Sequence, residues 1–98
     1  MSFSLSFTSS AKQSLKELKS SANLEKRFKA VSKALRFLAE DPHHPSLQTH
    51  RYFSFSGPNG EKVFEAYAEQ DTPAAYRIFF YYGRTRGEIV VFAITPHP

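Results

Sequence analysis

Arg77 stands inside the most apolar stretch of the chain, Tyr76-Arg77-Ile78-Phe79-Phe80-Tyr81-Tyr82. A guanidinium is always charged and forks onto two phosphate oxygens, while neighbouring aromatic rings accept stacked bases. An arginine among aromatics therefore suits a phosphate that carries a base. Strand alternation gives Arg77, Phe79 and Tyr81 one face and leaves Tyr76, Ile78 and Phe80 the other. In the preceding run Val63, Glu65, Tyr67 and Glu69 share a face, with Phe64, Ala66 and Ala68 opposite. If the small apolar face turns to the core, Glu65 and Arg77 meet on neighbouring strands across an open face. Two readings stand at this point. One is a plain cross-strand ion pair, towards which the pattern leans; the other is a phosphate site whose arginine is oriented by the carboxylate. The two can coexist. His97, between Pro96 and Pro98, adds a group able to exchange protons near neutral pH.

These residues need a sheet to carry them, and the sequence supplies one. Phe3, Leu5 and Phe7 alternate with serines, which predicts a half-buried strand over 2–8. Ser10 and Gln13 form a capping-box pattern, and Ala11, Leu15 and Leu18 follow at helical spacing to about Lys19. Asn23 is placed to cap a second helix whose stripe is Leu24, Phe28, Val31, Leu35 and Leu38. Asp41-Pro42 ends it, because a residue before proline is pushed out of the α region. Further strands are expected over 47–55, 62–69, 75–82 and 88–95, separated by Gly- and Pro-containing turns. The order βααββββ predicts an α+β fold: a small, mostly antiparallel five-stranded sheet with two helices packed on one face.

The 98 residues are enough for one domain spanning 1–98 and one modest core. Without cysteine the fold rests on packing. No stretch reaches the roughly 18 apolar residues of a membrane span, and the start has no basic leader, so a soluble cytoplasmic protein with no membrane partner is expected. The net charge of +4 favours an anionic partner. That charge is uneven. Residues 1–40 hold eight basic and three acidic residues, and residues 41–98 hold five and six. The basic side chains Lys26, Lys29, Lys33 and Arg36 lie opposite the apolar stripe of the second helix, as on a solvated face. His43, His44 and His50 lack further ligands nearby, so no metal site is expected; His43 and His44 are read as solvated loop residues. No cofactor motif, phosphate-binding loop or catalytic triad pattern occurs.

The layout βααββββ, the helix ending Leu35-Arg-Phe-Leu-Ala-Glu-Asp-Pro42, the pair His50-Arg51 entering the next strand, the central Tyr76-Arg-Ile78 and the final Ile94-Thr-Pro-His97 together resemble the RelE/ParE-like toxin family of bacterial toxin–antitoxin modules. The likeness covers nearly the whole chain and lies in the order and spacing of short motifs. It implies a sheet curved around a concave face with two helices behind. RelE-like members cut mRNA in the ribosomal A site without a metal, whereas ParE-like members poison DNA gyrase. By resemblance Arg77 matches the arginine set against the scissile phosphate, His97 the general acid after the last strand, and Glu65 the general base. His50 and Arg51 fall where several members keep a basic residue or histidine, and Tyr67, Phe79 and Tyr81 become stacking surfaces for RNA. The partners implied are a cognate acidic antitoxin and mRNA on the ribosome. The alternative is a non-enzymatic binding module, either a gyrase inhibitor or a toxin that only binds its antitoxin.

Overall fold

The computed structural model describes residues 2–96. Strand β1 (Ser4–Phe7) leads into helix α1 (Ser9–Ser20), then a short 3-10 turn over Ala22–Leu24 and helix α2 (Glu25–Glu40). A second 3-10 turn over Pro45–Leu47 precedes β2 (His50–Ser56), β3 (Lys62–Tyr67), β4 (Tyr76–Tyr82) and β5 (Glu88–Pro96). The α+β class, the five strands and the two helices are as the sequence predicts.

The strand order is β1-β5-β4-β3-β2. After the helices the chain re-enters at the far edge and zigzags back, so β2, β3, β4 and β5 pair antiparallel in turn. β5 thereby arrives beside β1 and runs parallel to it, with Leu5 opposite Ile89. The sheet is thus mixed, antiparallel except at this pairing.

Alternation sorts the strand residues as expected on the helix side. Ala66, Ile78, Phe80, Ile89, Val91 and Ile94 pack with Leu18, Val31, Ala34 and Leu38 of the helices. Phe80, Ile78 and Leu38 are completely buried. At about 25 cal/mol per Å² of apolar surface this layer is the main stabilising term of the fold.

Local details differ from the sequence reading at the helix starts. Thr8, not Ser10, caps α1: its hydroxyl accepts the Ala11 N–H at 3.3 Å, and it also donates to the Phe92 carbonyl at 3.3 Å. A β-branched residue that ends a strand can serve both elements, so the helix begins two residues early. α2 has no side-chain cap; the 3-10 turn before it takes over the role expected of Asn23. His44 is also not a solvated loop residue. Its ring stacks on Phe37 at 3.9 Å between centroids, and its Nδ1 accepts the Ser46 N–H at 3.1 Å.

Arg27 of α2 fastens the loop between β3 and β4. Its guanidinium donates to Glu69 Oε1 at 2.8 Å, the Pro73 carbonyl at 3.1 Å and the Ala74 carbonyl at 3.4 Å. Glu69 Oε1 in turn accepts the Tyr76 N–H at 3.1 Å. Losing a partly buried charged hydrogen-bond donor of this kind costs about 1–3 kcal/mol. Arg27→Ala should therefore lower the urea midpoint and speed proteolysis within 70–75; an unchanged digestion pattern would mean the loop holds itself.

Candidate anion site on the concave sheet face

The face away from the helices is not open at its centre. Tyr52 of β2 reaches across β3 to meet the Phe79 ring of β4, with centroids 5.0 Å apart and the rings nearly perpendicular. The side chains of the intervening strand lie beneath this bridge. Val63 is fully buried and Glu65 is 2% exposed. The expectation that Glu65 lies on an open surface is corrected accordingly: it is buried on that face.

Glu65 is held from both sides. His50 is its directly paired residue on β2, and His50 Nε2 sits 2.8 Å from Glu65 Oε1. Arg77 pairs with Tyr67, one diagonal step from Glu65, and its Nη1 donates to Glu65 Oε2 at 2.5 Å. The expected cross-strand ion pair is therefore formed. A buried carboxylate needs such partners, because desolvation penalises an unpaired charge heavily. The other nitrogen of His50, Nδ1, lies 3.0 Å from the Gln48 carbonyl. Both ring nitrogens thus face oxygen atoms.

Arg77 is oriented on its remaining side by Tyr67, whose ring centroid is 5.0 Å from the guanidinium carbon. The Tyr67 ring also meets His50 edge-on at 5.6 Å. The Arg77 side chain is 23% exposed. Among the described residues only Glu65 accepts a hydrogen bond from it, through Nη1. Its other N–H groups are therefore free to fork onto an anion.

Two clefts meet at Arg77. One, of about 670 Å³, is lined by Tyr67, Gln70, Thr72 and Ala75 on the loop that Arg27 fastens. Its wall includes Gln48, Asp71 and Ala74, which among the described residues are the non-glycine ones with positive φ, at 46°, 55° and 56°. Left-handed backbone at such residues costs free energy and concentrates where a surface must keep a set shape. The other cleft, of about 430 Å³, is lined by Tyr52, Phe55, Phe79 and Phe92 with Thr95 and Pro96 at its edge. Among the described residues, Arg77 is the one that lines both.

The remaining site candidates fall unevenly around this centre. Arg51 is on the opposite face, paired with Phe64, so it does not join His50; adjacent strand residues point to opposite sides. Its guanidinium lies over the Phe53 ring at 4.6 Å, and its buried Nε has no hydrogen-bond partner among the described residues. Phe79 and Tyr81 are on the site face, half-buried, each against Phe92. His97 lies outside the described residues; β5 is described as far as Pro96, which pairs with Tyr76.

Sequence reasoning missed Tyr52, Phe55 and Phe92. Phe55 and Phe92 lie at breaks of strand register, while Tyr52 shares the face of His50 by plain alternation. β2 shifts register between Arg51 and Ser56, and β5 gains a residue opposite Phe79 and Phe80. The second bulge puts Phe92 and Ala93 in the same cleft. A strict period of two cannot reveal this.

No protein-family model matches the chain, and no curated protein sequence matches it. Among solved structures, the crystal structure of the archaeal RelE–RelB complex from Pyrococcus horikoshii OT3 matches with a TM-score of 0.65 over 98% of this chain and 96% of that one, at 11% identity. The chain has a RelE-like fold. At this identity the likeness fixes the RelE-like backbone, and the chemistry of the concave face rests on the side chains described above.

Proposed function

We propose that this chain is the toxin of a type II toxin–antitoxin pair and acts as a metal-independent, ribosome-dependent endoribonuclease. The observation that carries the reading is Arg77: a guanidinium held by a buried carboxylate and an aromatic ring, its free edge at the junction of two clefts on the concave face of a RelE-like sheet. In this mechanism the 2′-oxygen of the RNA attacks its own 3′-phosphate. The guanidinium turns its fork to the phosphate and stabilises the charge that develops there. That movement releases Glu65 Oε2, which accepts the proton of the 2′-hydroxyl. The 5′-oxygen leaves with a proton from His97, giving a cyclic phosphate and a free 5′-hydroxyl. His50 stays on Glu65 Oε1 and keeps the carboxylate in place.

A second reading is supported by the burial of Glu65 and by the near-neutral balance of residues 41–98. In it the ion pair only builds the sheet, and the chain is a binding module that captures an antitoxin or inhibits a topoisomerase.

Both readings give the basic helices a partner. Lys12, Lys16, Lys26, Lys29, Lys33 and Arg36 are all exposed on the side away from the Arg77 site. An acidic antitoxin seated there should bind less tightly as salt rises, since exposed charges are screened beyond a Debye length of about 8 Å at physiological ionic strength. If the chain is an active toxin, its expression should arrest growth, and co-expression of a cognate acidic antitoxin should relieve the arrest. Growth unaffected by expression would remove the nuclease and the topoisomerase inhibitor and leave only a module that captures its antitoxin.

A further inference from the structure

The larger cleft beside Arg77 carries the wrong charge for an anion. Among the described residues its lining holds two carboxylates, Glu69 and Asp71, against the single guanidinium of Arg77. A phosphate entering it meets net negative charge, which opposes binding. Asp71 is exposed, so water screens it. Glu69 is not, since its side chain is only 14% exposed. Strand parity sets Glu69 on the face of Glu65 and Tyr67, the face of Arg77. Its carboxylate instead turns to α2. β3 ends at Tyr67, and Glu69 Oε1 accepts from Arg27 Nη1 at 2.8 Å and from the Tyr76 N–H at 3.1 Å. The Pro73 and Ala74 carbonyls hold the same guanidinium in place. Tyr76 directly precedes Arg77, so this carboxylate is kept one residue away from the phosphate ligand.

We propose that Arg27 is a positioning residue of the Arg77 site: it cancels the charge of Glu69 and holds that carboxylate off the free N–H groups of Arg77, which are thereby left to an anion. Without Arg27, Glu69 becomes a competitor for the guanidinium from within the chain. A mostly buried carboxylate that loses one cation gains most by finding another, and Arg77 lines the same cleft. Arg27 thus acts on the site through Glu69 and touches no substrate. This inference rests on the reading of Arg77 as a phosphate site.

The test is single-turnover cleavage of mRNA on paused ribosomes by the full chain at subsaturating protein, over a range of salt, with proteolysis of the β3–β4 loop followed in parallel. Arg27→Ala should slow cleavage about fivefold at low salt, the effect of one unit charge at contact distance in water, and less as salt rises. Arg27→Ala combined with Glu69→Gln should recover most of that loss while the loop is still cut faster than in wild type. The amide removes the charge and does not restore the clamp. Glu69→Gln alone keeps an acceptor for Arg27 and Tyr76 and leaves the arginine uncompensated, so it should speed cleavage at low salt, by up to about fivefold. This single variant decides the matter if Arg27→Ala does not fold. Wild-type cleavage by Arg27→Ala, no recovery in the double variant, or slower cleavage by Glu69→Gln would each overturn the role of Arg27 and leave the phosphate site standing. A wild-type chain that cuts nothing would overturn the phosphate site and the role of Arg27 together.

Discussion

Arg77→Lys should lower ribosome-dependent RNA cleavage by about 100-fold or more while leaving the fold intact. Lysine keeps the positive charge, so an effect of charge alone would largely survive. It loses the planar fork, and with it the ability to meet the phosphate through two parallel N–H bonds. Removing one well-placed donor from a developing oxyanion costs on the order of 10²–10³ in rate. The substitution falls on a half-buried position, and the ammonium can still approach Glu65. Its cost in stability should therefore be small beside its cost in rate. Single-turnover cleavage and urea unfolding, measured on the same preparation, separate the two. Wild-type cleavage by the lysine variant would show that the fork is not used, and a chain that unfolds before it can be assayed would mean that Arg77 serves the sheet.

Glu65→Ala should be the most destabilising change in the site. Glu65 is 2% exposed, with both carboxylate oxygens engaged by His50 and Arg77. Deleting it removes the counter-charge of the arginine and leaves a void beneath the Tyr52–Phe79 bridge. Breaking a buried pair by removing one partner costs about 3–5 kcal/mol. Here the partners are 23% and 46% exposed and recover part of their hydration, which brings the expected loss to about 2–3 kcal/mol. The free energy of unfolding from urea titration, at unchanged m-value, is the measure. Glu65→Gln keeps the shape and one acceptor, so it should recover about half of the loss while still abolishing proton uptake from the 2′-hydroxyl. A loss below about 0.5 kcal/mol for the alanine variant would mean that the carboxylate contributes nothing net to the fold.

The parts of this structure that follow local rules were legible in the sequence. Alternation placed Ala66, Ile78 and Phe80 under the helices, and the stripe Leu24, Phe28, Val31, Leu35 and Leu38 marked the inner side of α2; Val31 and Leu38 are fully buried there. Both patterns depend only on the geometric period of the element. The Glu65–Arg77 pair was legible for the same reason, since residues of like parity on adjacent antiparallel strands share a face. What alternation could not supply was register. The resemblance put both His50 and Arg51 at the RNA, yet a strand sends them to opposite faces, and only the pairing of His50 with Glu65 decides which of them joins the site. Phe92 looked like one more apolar residue of the last strand, and the bulge that turns it into the cleft is a long-range event between two strands. The burial of Glu65 is likewise set by Tyr52 reaching across β3, a contact with no signature in either segment. The site is thus legible in its residue types and hidden in its closure.

The claim that Arg77 holds a scissile phosphate is tested most directly by cutting RNA. Purified protein should be added to ribosomes paused on a defined mRNA, in excess chelator, and the ends of the message mapped. The account predicts breaks within the ribosome-bound codons, each leaving a 2′,3′-cyclic phosphate and a 5′-hydroxyl, unaffected by the chelator and lost in Arg77→Lys. Intact mRNA with the wild-type chain, together with equal growth inhibition by wild type and Arg77→Lys, would contradict it and leave the binding module as the function of this fold.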